Sequence, residues 1–178
     1  MNVSEAIQVR RSVRSYADRE VDRGTIRELF ESVRLAPSAR NEQPWQFVAV
    51  TDPDRREALY RASFDQDHVA DAPVVVAGVS TATGALEGYD ESTAMVNLAI
   101  ALDHLSLRAA ELGLGTCWIG AYDDEAVADV LEVPEAWRIV HLMTVGYPVT
   151  DLEPVEKDRK PLEEVLAFET CPQSATHR

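Results

Sequence analysis

Pro73-Val74-Val75-Val76-Ala77-Gly78-Val79 is the run from which the fold is read. It carries no polar side chain, and it reads as a strand apolar on both faces. Such strands lie in the middle of a sheet, with other elements packed above and below. Residues 137–145 have the same character and read as another such strand.

Working outward, Ile26, Leu29, Phe30, Val33 and Ala36 recur at helical spacing behind Asp22, a candidate N-cap, and predict an amphipathic helix of about 14 residues ended by Pro37. Trp45–Val50 reads as a buried strand and Pro53–Ala62 as a short polar helix. Residues 80–90, rich in Thr, Gly and Ala, read as a loop. The stretch 91–112 places Met95, Leu98, Ala99, Leu102, Leu105, Ala109 and Leu112 on one broad face, as a central core helix. Gly113 and Gly115 stop it, residues 116–119 form a short strand, and Asp123 caps a helix through Leu131. Pro148, Pro154 and Pro161 punctuate an extended tail. Alternating strands and helices predict an α+β layered sandwich, a single domain over 1–178, with helices on both sheet faces.

With 178 residues, 46% of them hydrophobic, the chain is long enough for one sizeable core. No apolar run approaches the ~20 residues of a membrane helix, and the first residues lack an export signal, so a cytoplasmic protein is expected. A net charge of -14 argues against nucleic acid and anionic membranes as partners. The acidic residues number 31 against 17 basic ones, and of the latter only Lys157 and Lys160 are lysine. Work in concentrated salt and a genomic bias towards Arg codons both account for that pattern.

Many familiar sites are excluded. Gly113-x-Gly115 lacks a third glycine and precedes a strand, where a dinucleotide fingerprint follows one. There is no phosphate-binding G-x-x-x-x-G-K-[ST] and no G-x-S-x-G nucleophile elbow. Cys117 and Cys171 stand far apart, and His68, His104, His141 and His177 show no metal spacing. His141 alternates with Ile139 and Met143 as a core residue. No metal site and no catalytic acid or base is expected, so the chemistry comes from a cofactor.

The cluster Arg10-Arg11-Ser12-Val13-Arg14 is unusual in so acidic a chain. It reads either as a basic surface turn or as an anion site, because guanidinium groups grip a phosphate with paired charge-assisted hydrogen bonds. Three segments occur in order: 10–16, Arg-Arg-Ser-Val-Arg-Ser-Tyr; 36–47, Ala-Pro-Ser-Ala-Arg-Asn-Glu-Gln-Pro-Trp-Gln-Phe; and 113–120, Gly-Leu-Gly-Thr-Cys-Trp-Ile-Gly. With Phe64-Asp65-Gln66-Asp67-His68 before Ala72-Pro73, and Lys157-Asp158-Arg159 in the tail, the chain resembles the nitroreductase family of flavin mononucleotide enzymes over nearly its whole length.

The resemblance implies a central mixed sheet flanked by helices and a homodimer whose C-terminal tail wraps the partner. It implies FMN as cofactor, NADH or NADPH as donor and a small-molecule acceptor such as a nitroaromatic, quinone, enone or flavin, reduced by a ping-pong mechanism. Arg10, Arg11, Ser12 and Arg14 match the family's phosphate and ribityl segment, and Lys157 and Arg159 a basic pair completing the phosphate site. Pro37, Ser38, Ala39 and Asn41 match a loop reaching the flavin from the neighbouring subunit. Gln66 matches an amide on the ring's polar edge, and Ile119 and Gly120 the strand end facing the ring. Family members with a long helical insertion build a lid from it. Here the 80–91 loop is expected to serve, and substrate choice stays open. A specialised flavoenzyme, such as a reductive dehalogenase or a flavin-fragmenting enzyme, and a flavin-binding protein without turnover are alternatives.

Overall fold

The computed structural model describes residues 1–82 and 91–171. Most of the expected lid loop lies outside the described residues, as does His177. The strand that opens the argument, β2 (Val74–Ser80), is buried at each position. On one side it pairs with β1 (Trp45–Val50), on the other with β4 (Arg138–Gly146), and β3 (Gly115–Ile119) completes the order β1-β2-β4-β3.

All three strand pairs are antiparallel, where a mixed sheet was expected. The reason lies in the connections. Helix α3 (Pro53–Ala62) and α4 (Asp67–Asp71) return the chain to the end at which β1 stopped, so Val50 pairs with Val75. The parallel component is a single bridge, Ser12 to Thr116, which lays the basic segment against β3.

Successive residues of β2 face opposite layers, as the pleat requires. Val74 and Val76 join Met143 and Val145 in a core built with Leu29 and Val33 of α2 (Arg23–Arg34) and Leu102 and Leu105 of α5 (Glu91–Glu111). Val75, Ala77 and Val79 join Leu142, Ile119, Leu59 of α3 and Val127 of α6 (Asp124–Leu131). Each fully buried Val, Leu, Ile or Met side chain contributes about 1.5–3 kcal/mol. Gly78 lets α5 approach: a Cβ there would stand 3.0 Å from Leu98 Cδ2.

Some sequence-based expectations change. β1 is an edge strand, with Val50 its one buried residue, because its outer side has no strand neighbour in the sheet. Beside Gly78 the β2–β4 register slips, pairing Gly78 with His141 but Val79 with Ile139. The extra residue turns Ile139 to the core opposite Met143, so His141 does not share a face with both. His141 meets Trp118 edge-on, with ring centroids 5.2 Å apart.

The caps are as the side chains require. Asp22 accepts from the backbone N–H of Gly24 and Thr25, and Asp123 from that of Ala126. Gly113, at φ 74°, turns the chain out of α5 while the Leu114 N–H reaches back to the Ala109 carbonyl. Helix α1 (Val3–Val9) was not anticipated, although Asn2 and Glu5 form a reciprocal capping box. A one-turn α7 (Leu162–Val165) lies in the tail.

Candidate functional site

The Ser12–Thr116 bridge, with the Val13 N–H donating to the Thr116 carbonyl at 2.9 Å, fixes the course of the basic segment. Gly115 permits it, since a Cβ there would lie 2.5 Å from Val13 Cγ2. Tyr16 anchors the far end: its buried hydroxyl meets Thr144 Oγ1 at 2.6 Å and donates to the Val13 carbonyl at 2.8 Å. Burial raises the Tyr16 pKa far above the ordinary phenol value, so the group is a neutral structural post.

Around this segment the cations meet different neighbours. Lys157 lies within electrostatic reach of both Arg10 and Arg159, and burial first, then the Arg10 and Arg159 charges, lower its pKa. The Lys157 ammonium also donates to the Ile7 carbonyl at 2.5 Å, which holds the tail against the end of α1. The Arg14 charge acts on His68, Cys117 and Tyr16, lowering the pKa of each. Residues 10 and 14 are separated by about 13 Å where the chain is fully extended. Ser12 lies between them, and burial raises the pKa of the Cys117 thiol, against the lowering influence of Arg14 and then Ser12. Arg11 does something else: its guanidinium donates to the Asp151 and Glu153 carbonyls at 3.1 and 3.2 Å, so it fastens the tail.

Gln66 sits in the turn between α3 and α4. Its amide nitrogen donates to the Ser63 carbonyl at 2.7 Å and the Ala121 carbonyl at 2.8 Å, tying the turn to the chain just past β3. That nitrogen is already committed within the protein; its amide oxygen is the atom left to meet a ligand. Phe64 and Asp65, in the same turn, hold left-handed φ of 55° and 53°, and the phenyl ring is 63% exposed. At the end of β3 Ile119 is buried in the core, and the chain emerges at Gly120. Gly120 is exposed with no atom within 4 Å of a Cβ position, leaving room for a flat ligand against the backbone.

The loop containing Pro37, Ser38, Ala39 and Asn41 lies elsewhere. Ala39 N–H donates to Asn97 Oδ1 at 3.1 Å, near the start of α5, and Gln43 N–H donates to the Ser38 hydroxyl at 3.0 Å. Arg40, Asn41 and Gln43 all hold left-handed φ, a concentration of backbone strain typical of sites that present groups to a ligand. The Met1 ammonium, just ahead of α1, by contrast stands 3.9 Å from Glu111, at the other end of α5. From residue 97 to 111 is about 21 Å of helix.

The sequence reading gave His68 no role beyond its place in the 64–68 motif. His68 is buried, and its Nε2 has no hydrogen-bond partner. Sequence could have signalled it only through its place beside Gln66, since a lone histidine carries no spacing pattern.

The four-stranded sheet and the cores on its two faces define a layered α+β protein. The comparisons with known proteins agree. The model of the nitroreductase family matches residues 7–66 and 63–147, and the chain belongs to that family. It is 32% identical to a Thermus thermophilus protein named NADH dehydrogenase, over 94% of this chain and 96% of the relative. It is 28% identical to the FMN reductase [NAD(P)H] of Bacillus subtilis, over 94% of this chain and 74% of the relative. The solved structure of B. megaterium NfrA2 superposes with a TM-score of 0.88 at 25% identity, covering 99% of this chain and 78% of that one.

Proposed function

We propose that the chain is an FMN-dependent oxidoreductase that takes hydride from NADH or NADPH and passes it to a small electrophile, working as a homodimer with a site at each end of the interface. The observation that carries this reading is the convergence of Arg10 with Lys157 and Arg159 from the far end of the chain, in a protein of net charge -14. Three cations gathered in so acidic a molecule suit a phosphate dianion. FMN supplies the redox chemistry, accepting hydride from one partner and yielding it to the next, so donor and acceptor use the same face in turn. The protein's residues bind and orient: the cation trio holds the phosphate, Ser12 the ribityl chain, the Gln66 amide oxygen the ring edge, and Gly120 leaves the ring face open.

Two features support the dimer. In one chain the 37–43 loop is fastened to the start of α5, while the basic segment lies along β3, which follows the end of α5, so a site that draws on both segments calls for two chains. The tail also exposes Leu162 (62%), Val165 (66%) and Phe168 (80%), and α1 exposes Val3 (72%), apolar surface that a second copy would cover. A cytoplasmic site of action agrees with Cys117 and Cys171 being free thiols.

Flavin release from denatured protein, combined with sedimentation of the native form, tests this. The expected result is about one FMN per chain in a dimer. A stable monomer loaded with FMN overturns the shared site, and protein that takes up no FMN overturns the function.

A further inference from the structure

Where β3 starts and β4 ends, two facing pairs of small residues meet, Gly115 with Gly146 and Cys117 with Thr144. A Cβ at Gly115 would lie 2.5 Å from Val13 Cγ2. One at Gly146 would lie 2.6 Å from Pro73 Cδ and 2.8 Å from Tyr16 Cδ1. Residues opposite one another across a strand pair share a face. The four therefore form one recess in the sheet, filled by Val13 and Tyr16, which pack there with Ala72.

The recess is polar at one point. Thr144 is fully buried, and its Oγ1 lies 2.6 Å from the Tyr16 hydroxyl and 3.3 Å from the Cys117 carbonyl. Two oxygens 2.6 Å apart hold a proton between them. The Tyr16 proton goes to the Val13 carbonyl at 2.8 Å, so the proton between the two hydroxyls is that of Thr144. Thr144, Tyr16 and Val13 then form a chain that runs one way, each bond strengthening the next. At its end both backbone groups of Val13 are engaged, the N–H by the Thr116 carbonyl and the carbonyl by Tyr16. Apolar groups of the same shape in place of a buried hydrogen-bonded pair are nearly neutral for stability, so packing alone does not account for two hydroxyls here. What they fix is the peptide between Val13 and Arg14, in the middle of the basic run.

We propose that Tyr16 and Thr144 are positioning residues for the flavin: through the Val13 carbonyl their hydroxyls hold residues 10–14 in the backbone course from which the segment's polar side chains reach the cofactor. Both are buried and act from beneath the segment. The inference rests on the flavin reading above and adds to it two residues that it leaves outside the site. Without the Tyr16 hydroxyl the segment samples other courses, and apparent affinity falls in proportion to the fraction still competent to bind.

Hydrogen exchange and FMN titration of Tyr16→Phe, which keeps the ring in the recess and removes the hydroxyl, test this. In flavin-free protein the Val13 N–H should exchange faster than in the wild type, while the Val76 N–H in β2 keeps its rate. FMN affinity, read by quenching of flavin fluorescence, should fall about three- to tenfold, the worth of one hydrogen bond. Asp22→Ala removes the cap of α2, which packs on the other face of the sheet; it lowers stability without reaching the segment and should bind FMN as the wild type does. Thr144→Ser and Thr144→Ala differ only in the hydroxyl, and Thr144→Ser should bind FMN more tightly. That pair decides the matter if Tyr16→Phe folds poorly. Wild-type affinity or unchanged Val13 exchange in Tyr16→Phe, an equal loss of affinity in Asp22→Ala, or equal binding by the two Thr144 variants overturns the proposal. Wild-type protein that takes up no FMN overturns the function itself, whereas tight binding by wild type and Tyr16→Phe alike overturns only this inference.

Discussion

Two glycines five residues apart set limits on the site in opposite ways. Gly115 is required by packing, because a Cβ would collide with Val13 at 2.5 Å. Gly115→Ala should therefore destabilise by about 1–3 kcal/mol, the range for overpacking, and loosen the basic segment. Gly120 has nothing within 4 Å of a Cβ, so Gly120→Ala should leave stability within about 0.5 kcal/mol of the wild type while weakening FMN. Thermal melts and flavin titrations on the pair check this; equal affinity in Gly120→Ala and the wild type would remove the ring from that strand end. Asp22 gives a pH-dependent example. Its carboxylate pKa is lowered, chiefly by the Thr25 hydroxyl and then by backbone N–H groups of the helix start. A depressed carboxylate contributes stability above its unfolded pKa and loses it as pH falls through the folded one. Asp22→Ala should thus melt below the wild type at neutral pH, and the gap should close in acid.

At the scale of elements, the tail is the least supported part of the chain. Arg11 and Lys157 fasten it through backbone carbonyls, yet Leu162, Val165 and Phe168 stay in solvent. Replacing Leu162, Val165 and Phe168 together by Ser should shift dimer to monomer in sedimentation, with little change in the far-UV spectrum. A dimer of undiminished affinity would show that the tail covers nothing. The elements legible in the sequence were those whose residues state their own environment: β2 by its apolar run, α2 and α6 by their Asp caps, α5 by its glycine stop. β1 misled because Trp45, Phe47 and Val48 look buried, whereas burial depends on whether a strand lies outside. The antiparallel pairing and the bulge beside Gly78 depend on how the connections return, which no local pattern states. Arg11 and Arg14 sit in one basic run, and only tertiary structure shows that Arg11 fastens the tail.

For the whole molecule, the charge balance carries its own expectation. With -14 on one small chain, carboxylates oppose both folding and subunit association, and the surface ion pairs, such as Arg61 with Glu57 and Arg34 with Glu31, are exposed and weak. Salt shortens the screening length from about 8 Å at physiological strength to about 3 Å at molar strength. Melting temperature and dimer fraction should rise as KCl is raised over that range. A flat or falling curve would leave codon bias as the cause of the lysine scarcity. None of this touches the central claim, that the cations from both ends of the chain hold a flavin that nicotinamide reduces. Anaerobic titration of the FMN-loaded dimer with NADH, and separately with NADPH, tests it most directly. The account predicts rapid bleaching of the flavin by about one equivalent of one donor or both, reversed when a quinone is added; a flavin that stays oxidised with both donors would contradict it.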